Sequence, residues 1–185
     1  MIINDRQGEN KCVYLTHIQE YDEEVVEMDY VQENFNALTS AVSSVIRREV
    51  DCLTDEIISS EQKYYCSDLN LSDIIRPFMQ HQEVLEIENR IDVGEINSSD
   101  VLICVSFECK SERLDEIVQY FKENNAKIVL ITANKKSNIA YYSKEIIGVS
   151  VDGYELDEGT QRDIFSQVVL FLLGVINRKL KKVPV

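Results

Sequence analysis

The alternation of apolar runs predicts an α/β protein: a three-layer sandwich around a central, mainly parallel five-stranded sheet, doubly wound in the flavodoxin-like manner. Two observations carry this. Residues 101–105 (VLICV) and 127–132 (KIVLIT) are almost continuously apolar, the composition of strands covered on both faces. Between and around them lie segments with apolar residues three and four apart, so strands alternate with helices and right-handed crossovers give a parallel sheet. A chain of 185 residues suits one sizeable core. The expected division is an N-terminal acidic arm or short strand over 1–30 and the α/β domain over 31–185.

Taken in order, residues 11–18 (KCVYLTHI) alternate loosely and suit a short strand or ordered arm. Residues 20–33 hold seven acidic residues and no basic one, the mark of a solvated face or of a dock for a basic partner. Phe35, Leu38, Val42, Val45, Ile46, Val50, Leu53 and Ile57 then predict one long amphipathic helix over 31–58. A short aromatic strand is expected at 63–66, followed by the turn-forming stretch SDLNLS with Ser72 as a helix cap. A helix over 73–80 follows, with Pro77 in its opening turns. The remaining elements are a strand at 83–87, the strand at 101–105, a helix over 112–124, the strand at 127–132, a short helix near 139–143, a strand at 146–151 and a last helix over 158–182. That last helix is apolar nearly all round at VVLFLLGVI, which suits burial against the sheet on one side and a second subunit on the other.

The charge balance excludes several classes of function. With 33 acidic against 19 basic residues the net charge is −14 and the pI about 4.5, which repels nucleic acid. The one basic cluster, Arg178, Lys179, Lys181 and Lys182, reads as favourable charge at a helix C-terminus. The longest apolar run, 168–176, is far short of the ~20 residues of a membrane span. Five cysteines without a CxxC pair read as free thiols in a reducing compartment, and the N-terminal residues lack a signal-peptide pattern, so a cytoplasmic location is expected. The two histidines, His17 and His81, have no ligand-forming neighbours in sequence, so neither metal nor cofactor is expected.

In open parallel sheets ligands sit beyond the carboxyl ends of the strands, which directs attention to the loops after Cys66, Val105 and Thr132. Residues 100–152 supply Ser106, Glu108, Cys109, Ser111 and Glu112 after one strand, Ala126 to Thr132 as turn and next strand, then Ser137 to Ala140. In order and spacing this stretch resembles the core of the sugar-isomerase (SIS) domain family, phosphoheptose-isomerase-like. Members carry a strand ending in a Ser-x-Ser-Gly-x-Thr/Ser loop, a helix opening with Glu, a strand ending in Thr and a Ser-Pro-Leu-Ala-like segment. The resemblance is strong over 100–152, weaker over the rest of 31–180, and does not reach 1–30. It implies a phosphorylated sugar as partner and a homo-oligomer, dimer or tetramer, with the site at a subunit interface.

Against that pattern, hydroxyls and backbone N–H groups at a helix N-terminus make an anion cradle, and Ser106 and Ser111 keep that chemistry. Simple helix capping explains the same two serines equally well. Glu108 stands where the family has its second Ser, and Cys109 where it has Gly. The first adds a charge repelled by phosphate and the second a Cβ at a position suited to positive φ. Lys110 can offset Glu108 and reach a phosphate. The first loop lacks the family's glycines and offers Ser67, Asn70 and Ser72; Thr132, Asn134 and Gln161 complete the candidate ligand-binding set. Glu108 is the one weak candidate for a catalytic base, although a solvated loop glutamate is the plainer reading. Cys109 is expected to be exposed at a helix N-terminus, as an ordinary loop thiol. Relatives of the phosphoheptose type use a histidine in the last helix, and this last helix has none. The expectation is therefore a phosphosugar-binding or regulatory module without catalysis; an aldose–ketose phosphosugar isomerase and a ligand-free oligomerisation scaffold are the alternatives.

Overall fold

The computed structural model describes residues 13–80, 83–89, 93–151 and 156–181, with the side chains of 13–28, 69 and 70 outside that description. The chain divides into two compact units, Met1–Asn36 and Ala37–Val185. In the first, residues from Val13 onward belong to helix α1 (Val13–Ser44), where a short strand or arm was expected for 11–18. The run that follows is rich in Glu and Gln, which favour helix. Within this unit Gln32 Nε2 donates to Asn36 Oδ1 at 2.9 Å.

The second unit holds a parallel sheet of five strands, β1 (Lys63–Ser67), β2 (Leu85–Glu86), β3 (Val101–Ser106), β4 (Lys127–Thr132) and β5 (Glu145–Gly148), in the order β2-β1-β3-β4-β5. This is the doubly wound order expected from the sequence. The remaining helices are α2 (Arg47–Ile58), α3 (Leu69–Gln80), α4 (Glu112–Glu123), α5 (Asn138–Tyr142) and α6 (Glu158–Leu180).

The period of 2 along each strand sends alternate side chains to opposite faces. Val101, Ile103 and Val105 of β3 with Val129 and Ile131 of β4 face a core made with α2, α3 and α6. Leu102 and Cys104 with Ile128 and Leu130 face a second core made with α4 and α5, in which Leu114, Ile117, Val118 and Phe121 are the buried stripe of α4. Beyond α4 and its C-cap Asn124, Asn125 takes φ 58° in the turn, and Ala126 N–H bonds Phe121 O at 3.0 Å. None of the described helices is long and apolar enough to cross a membrane.

Two boundaries depart from expectation. The single helix foreseen over 31–58 is broken after Ser44. There Ser43 and Ser44 turn their hydroxyls back onto the carbonyls of Thr39 (2.8 Å) and Ala41 (2.6 Å), and Ile46 adopts an extended conformation before α2. Helix α3 starts at Leu69 rather than near 73, so Pro77 lies well inside it and Ser72 is a helical residue, not a cap. Its first turn is closed by Leu71 N–H on the carbonyl of Asp68, 2.9 Å.

At the amino ends of the strands Asp100, fully buried, holds β1 and β3 in register: its carboxylate accepts from Gln62 N–H (3.2 Å) and Asn97 N–H (2.9 Å). Replacing Asp100 by Ala removes two hydrogen bonds to a charged acceptor, so the denaturant midpoint should fall by an amount equivalent to about 2 kcal/mol. An unchanged midpoint would show that the strand pairing holds without it.

Candidate functional site

The direction of winding reverses between β1 and β3. The crossover from β1 runs outward through α3 and the one from β3 runs the other way through α4, on opposite faces of the sheet, so a crevice opens at the carboxyl ends of these two strands. Ser67 ends β1 and Ser106 ends β3; both are buried, at 3% and 0% exposure. The crevice is spanned by Asp68. Its carboxylate accepts from Ser106 Oγ (2.9 and 3.1 Å to the two oxygens) and from Phe107 N–H (2.9 Å), while Ser106 Oγ itself accepts from Cys109 N–H at 2.9 Å.

The rest of the rim is stitched in the same way. Thr132 Oγ1 donates to Phe107 O (3.2 Å) and accepts from Asn134 N–H (2.9 Å), and Asn134 Nδ2 donates to Glu108 O (3.1 Å). Thr132 and Asn134 thus close the turn between the loops after β3 and β4. Cys109 is buried, not exposed as expected: it adopts φ 57° and turns its thiol inward, 3.3 Å from Thr132 Oγ1. The left-handed backbone expected where relatives carry Gly persists here with a side chain present, and that side chain fills the interior beneath the loop. Beyond it, Cys66 and Cys104 face each other across β1 and β3. The hydrogen bond with Cys66, together with burial, pushes the Cys104 thiol up, which leaves it inert.

Glu108 is half-buried and has both oxygens engaged, Oε1 by Lys110 Nζ at 2.6 Å and Oε2 by Arg162 at 2.9 Å. Arg162 also pairs with Glu158 (2.6 Å) and lies 5.5 Å from the Phe107 ring centroid. The Glu158 hydrogen bond, followed by the charges of Glu108 and Asp68, raises the Arg162 guanidinium further and keeps it cationic. Phe107 and Arg162 line a crevice of about 330 Å³, together with Asp68, Leu71, Asp163 and Phe165. Ser111 precedes α4 with extended backbone and makes no side-chain capping bond.

Other expected residues serve elsewhere. Ser72 Oγ donates to Glu86 at the end of β2, and Arg76 grips the same carboxylate through Nε (2.7 Å) and Nη2 (3.2 Å). Gln161 Nε2 donates to Leu156 O at 2.9 Å and closes the start of α6. The side chain of Asn70 and all of His81 lie outside the described residues.

Sequence reasoning missed three residues. Asp68 sits in the turn-forming stretch SDLNLS, where nothing local marks it as a partner of Ser106. Arg113 of α4 reaches the carbonyls of Glu88 (2.9 Å) and Ser67, the residue that ends β1. Arg162 stands near the positive end of the α6 dipole, an unfavourable place for a cation that itself points to acidic partners.

Burial pushes the Glu86 carboxyl up, but the hydrogen bonds from Arg76 and Ser72 outweigh it and hold the group at about 2, against 4.5 ordinarily. Stability from this depressed group is fully present above pH 4.5 and lost as pH falls towards 2. Acid titration of unfolding should show Glu86→Gln flattening the loss in that window. A slope identical to that of the unsubstituted protein would deny Glu86 this role.

No curated protein sequence matches this chain. Among the solved structures that share its fold are the following three. A protein of Escherichia coli CFT073, solved in complex with a sugar phosphate, aligns with TM-score 0.69 and 17% identity, covering 85% of this chain and 91% of that one. The Vibrio vulnificus NanR protein complexed with ManNAc-6P aligns with TM-score 0.67 and 14% identity, covering 88% and 65%. The sugar isomerase domain of an RpiR transcription factor from Sphaerobacter thermophilus aligns with TM-score 0.60 and 8% identity, covering 85% and 98%. Residues 81–156, which contain β3, the loop after it, α4, β4, α5 and β5, match the model of the SIS domain.

Proposed function

We propose that this chain is a non-catalytic SIS-domain module that recognises a phosphorylated sugar at the rim beyond β1, β3 and β4, and that it works as a cytoplasmic regulatory or binding protein. The observation that carries the reading is the state of the loop after β3. Its hydroxyl and amide donors, from Ser106 and Phe107, converge on one carboxylate as in an anion cradle, while Glu108 has both oxygens committed to cations. A proton shuttle between adjacent sugar carbons needs a carboxylate or imidazole with an unencumbered position beside the substrate. Glu108 does not offer one, and α6 carries no histidine.

The ligand class comes from the neighbours: a sugar phosphate in the Escherichia coli protein and ManNAc-6P in Vibrio vulnificus NanR. The regulatory role is supported by the transcription-factor context of the Sphaerobacter domain. Phe107, packed edge to face on Phe165 at 5.4 Å, lines the crevice beside Arg162, the cation within reach of a phosphate. Self-association is part of the reading, because Phe171 (59%) and Val42 (42%) are exposed beside an apolar groove between α6 and the α1–α2 corner.

In thermal-shift and calorimetric titrations, at least one aldose or ketose phosphate at millimolar concentration should raise the melting temperature, and none should be turned over. No stabilisation by any of them removes the phosphosugar reading. Turnover that collapses in Glu108→Gln removes the non-catalytic one. Light scattering should report a dimer or tetramer, and a strict monomer takes self-association out of the proposal.

A further inference from the structure

The crevice at the reversal of winding already contains an anion, and it belongs to the chain. Asp68 immediately precedes α3, where an acidic side chain ordinarily accepts from the first amides of its own helix. Here the carboxylate crosses to a loop 38 residues away. It takes the Ser106 hydroxyl and the Phe107 N–H, the two donors that the strand end and loop turn towards the crevice. Its charge is also felt by Arg162, the guanidinium on the crevice wall. A carboxylate held by one hydroxyl, one backbone amide and a nearby guanidinium occupies the same chemical position as two oxygens of a phosphate.

Resting on the reading above, we propose that Asp68 is an internal surrogate for the ligand's phosphate. It holds the cradle closed, and an incoming phosphate group must displace it. The arrangement makes the protein self-liganded: affinity for phosphate is reduced by the work of withdrawing Asp68, so only a ligand with further contacts to the crevice can open the site. Glu108 adds to the exclusion of a bare anion, while Lys110 and Arg162, now neutralised by it, are the cations that become available on rearrangement.

The test compares unsubstituted protein with Asp68→Ala and Asp68→Asn, titrated calorimetrically with inorganic phosphate and separately with a panel of sugar phosphates. Asp68→Asn keeps the shape and an acceptor but removes the charge, so it remains informative if Asp68→Ala does not fold; a cooperative melt qualifies each variant. The expected result is that both variants bind inorganic phosphate at least about tenfold more tightly than the unsubstituted protein, and that Asp68→Glu, which keeps the charge, does not. Folded variants that bind phosphate no better than the unsubstituted protein overturn the proposal. If sugar phosphates bind all forms equally, the surrogate role fails and the phosphosugar reading survives. If the variants gain inorganic phosphate while no sugar phosphate binds any form, Asp68 is the surrogate and the phosphosugar reading fails.

Discussion

Two carboxylates, one at each end of the β1–β3 pair, hold this fold and its site together. At the amino ends Asp100, just before β3, reaches the amide that precedes β1; at the carboxyl ends Asp68, just after β1, reaches the hydroxyl that ends β3. Each strand thus lends an acid to its neighbour. Between them five residue pairs, from Lys63 and Val101 to Ser67 and Val105, run in register. Because a parallel ladder slips only at the cost of turning every side chain to the wrong face, charged clamps at both ends reinforce what the apolar faces already demand. The crevice exists because winding reverses at this pair, so the interaction that secures the sheet is also the one that occupies the site.

This double use explains the character of the rim. A loop that grips a ligand's phosphate keeps its donors free and its backbone close, commonly with glycine. Here the donors are spent internally, a buried Cys109 fills the space under the left-handed turn, and Thr132 and Asn134 tie the neighbouring loop down. The result is a rim whose polar groups are largely paired with one another, the buried Ser67 Oγ excepted. Buried polar networks that are well paired are stiff.

Charge is handled in the same local fashion. A chain of net charge −14 would repel a phosphate from most directions, yet Lys110, Arg162 and Arg113 lie at or beside this crevice. Each is held by acidic or carbonyl partners, which keeps the cations ordered and their field short-ranged. The Ser72–Arg76–Glu86 cluster does the equivalent work at the outer edge, tying α3 to the two-residue strand β2, which has little ladder of its own to hold it.

Periodicity alone determined a good deal of this protein: the strands KIVLIT and VLICV, the buried stripe of α4, the parallel order, and the loops in which to look. These are local matters, because a two-residue or 3.6-residue repeat, a capping residue or a run of β-branched side chains expresses its preference within a few neighbours. The break after Ser44 and the early start of α3 escaped, since hydroxyls returning to their own helix and an N-terminal residue whose side chain leaves it both look like ordinary turn chemistry in one dimension. What occupies the crevice was decided only by tertiary structure. Asp68 lies 38 residues from Ser106, and Arg162 lies 54 from Glu108. Such pairs have no spacing rule; they meet because the sheet sets β1 beside β3 and lays α6 across their ends, and a carboxylate brought there finds donors that would otherwise be left unpaired.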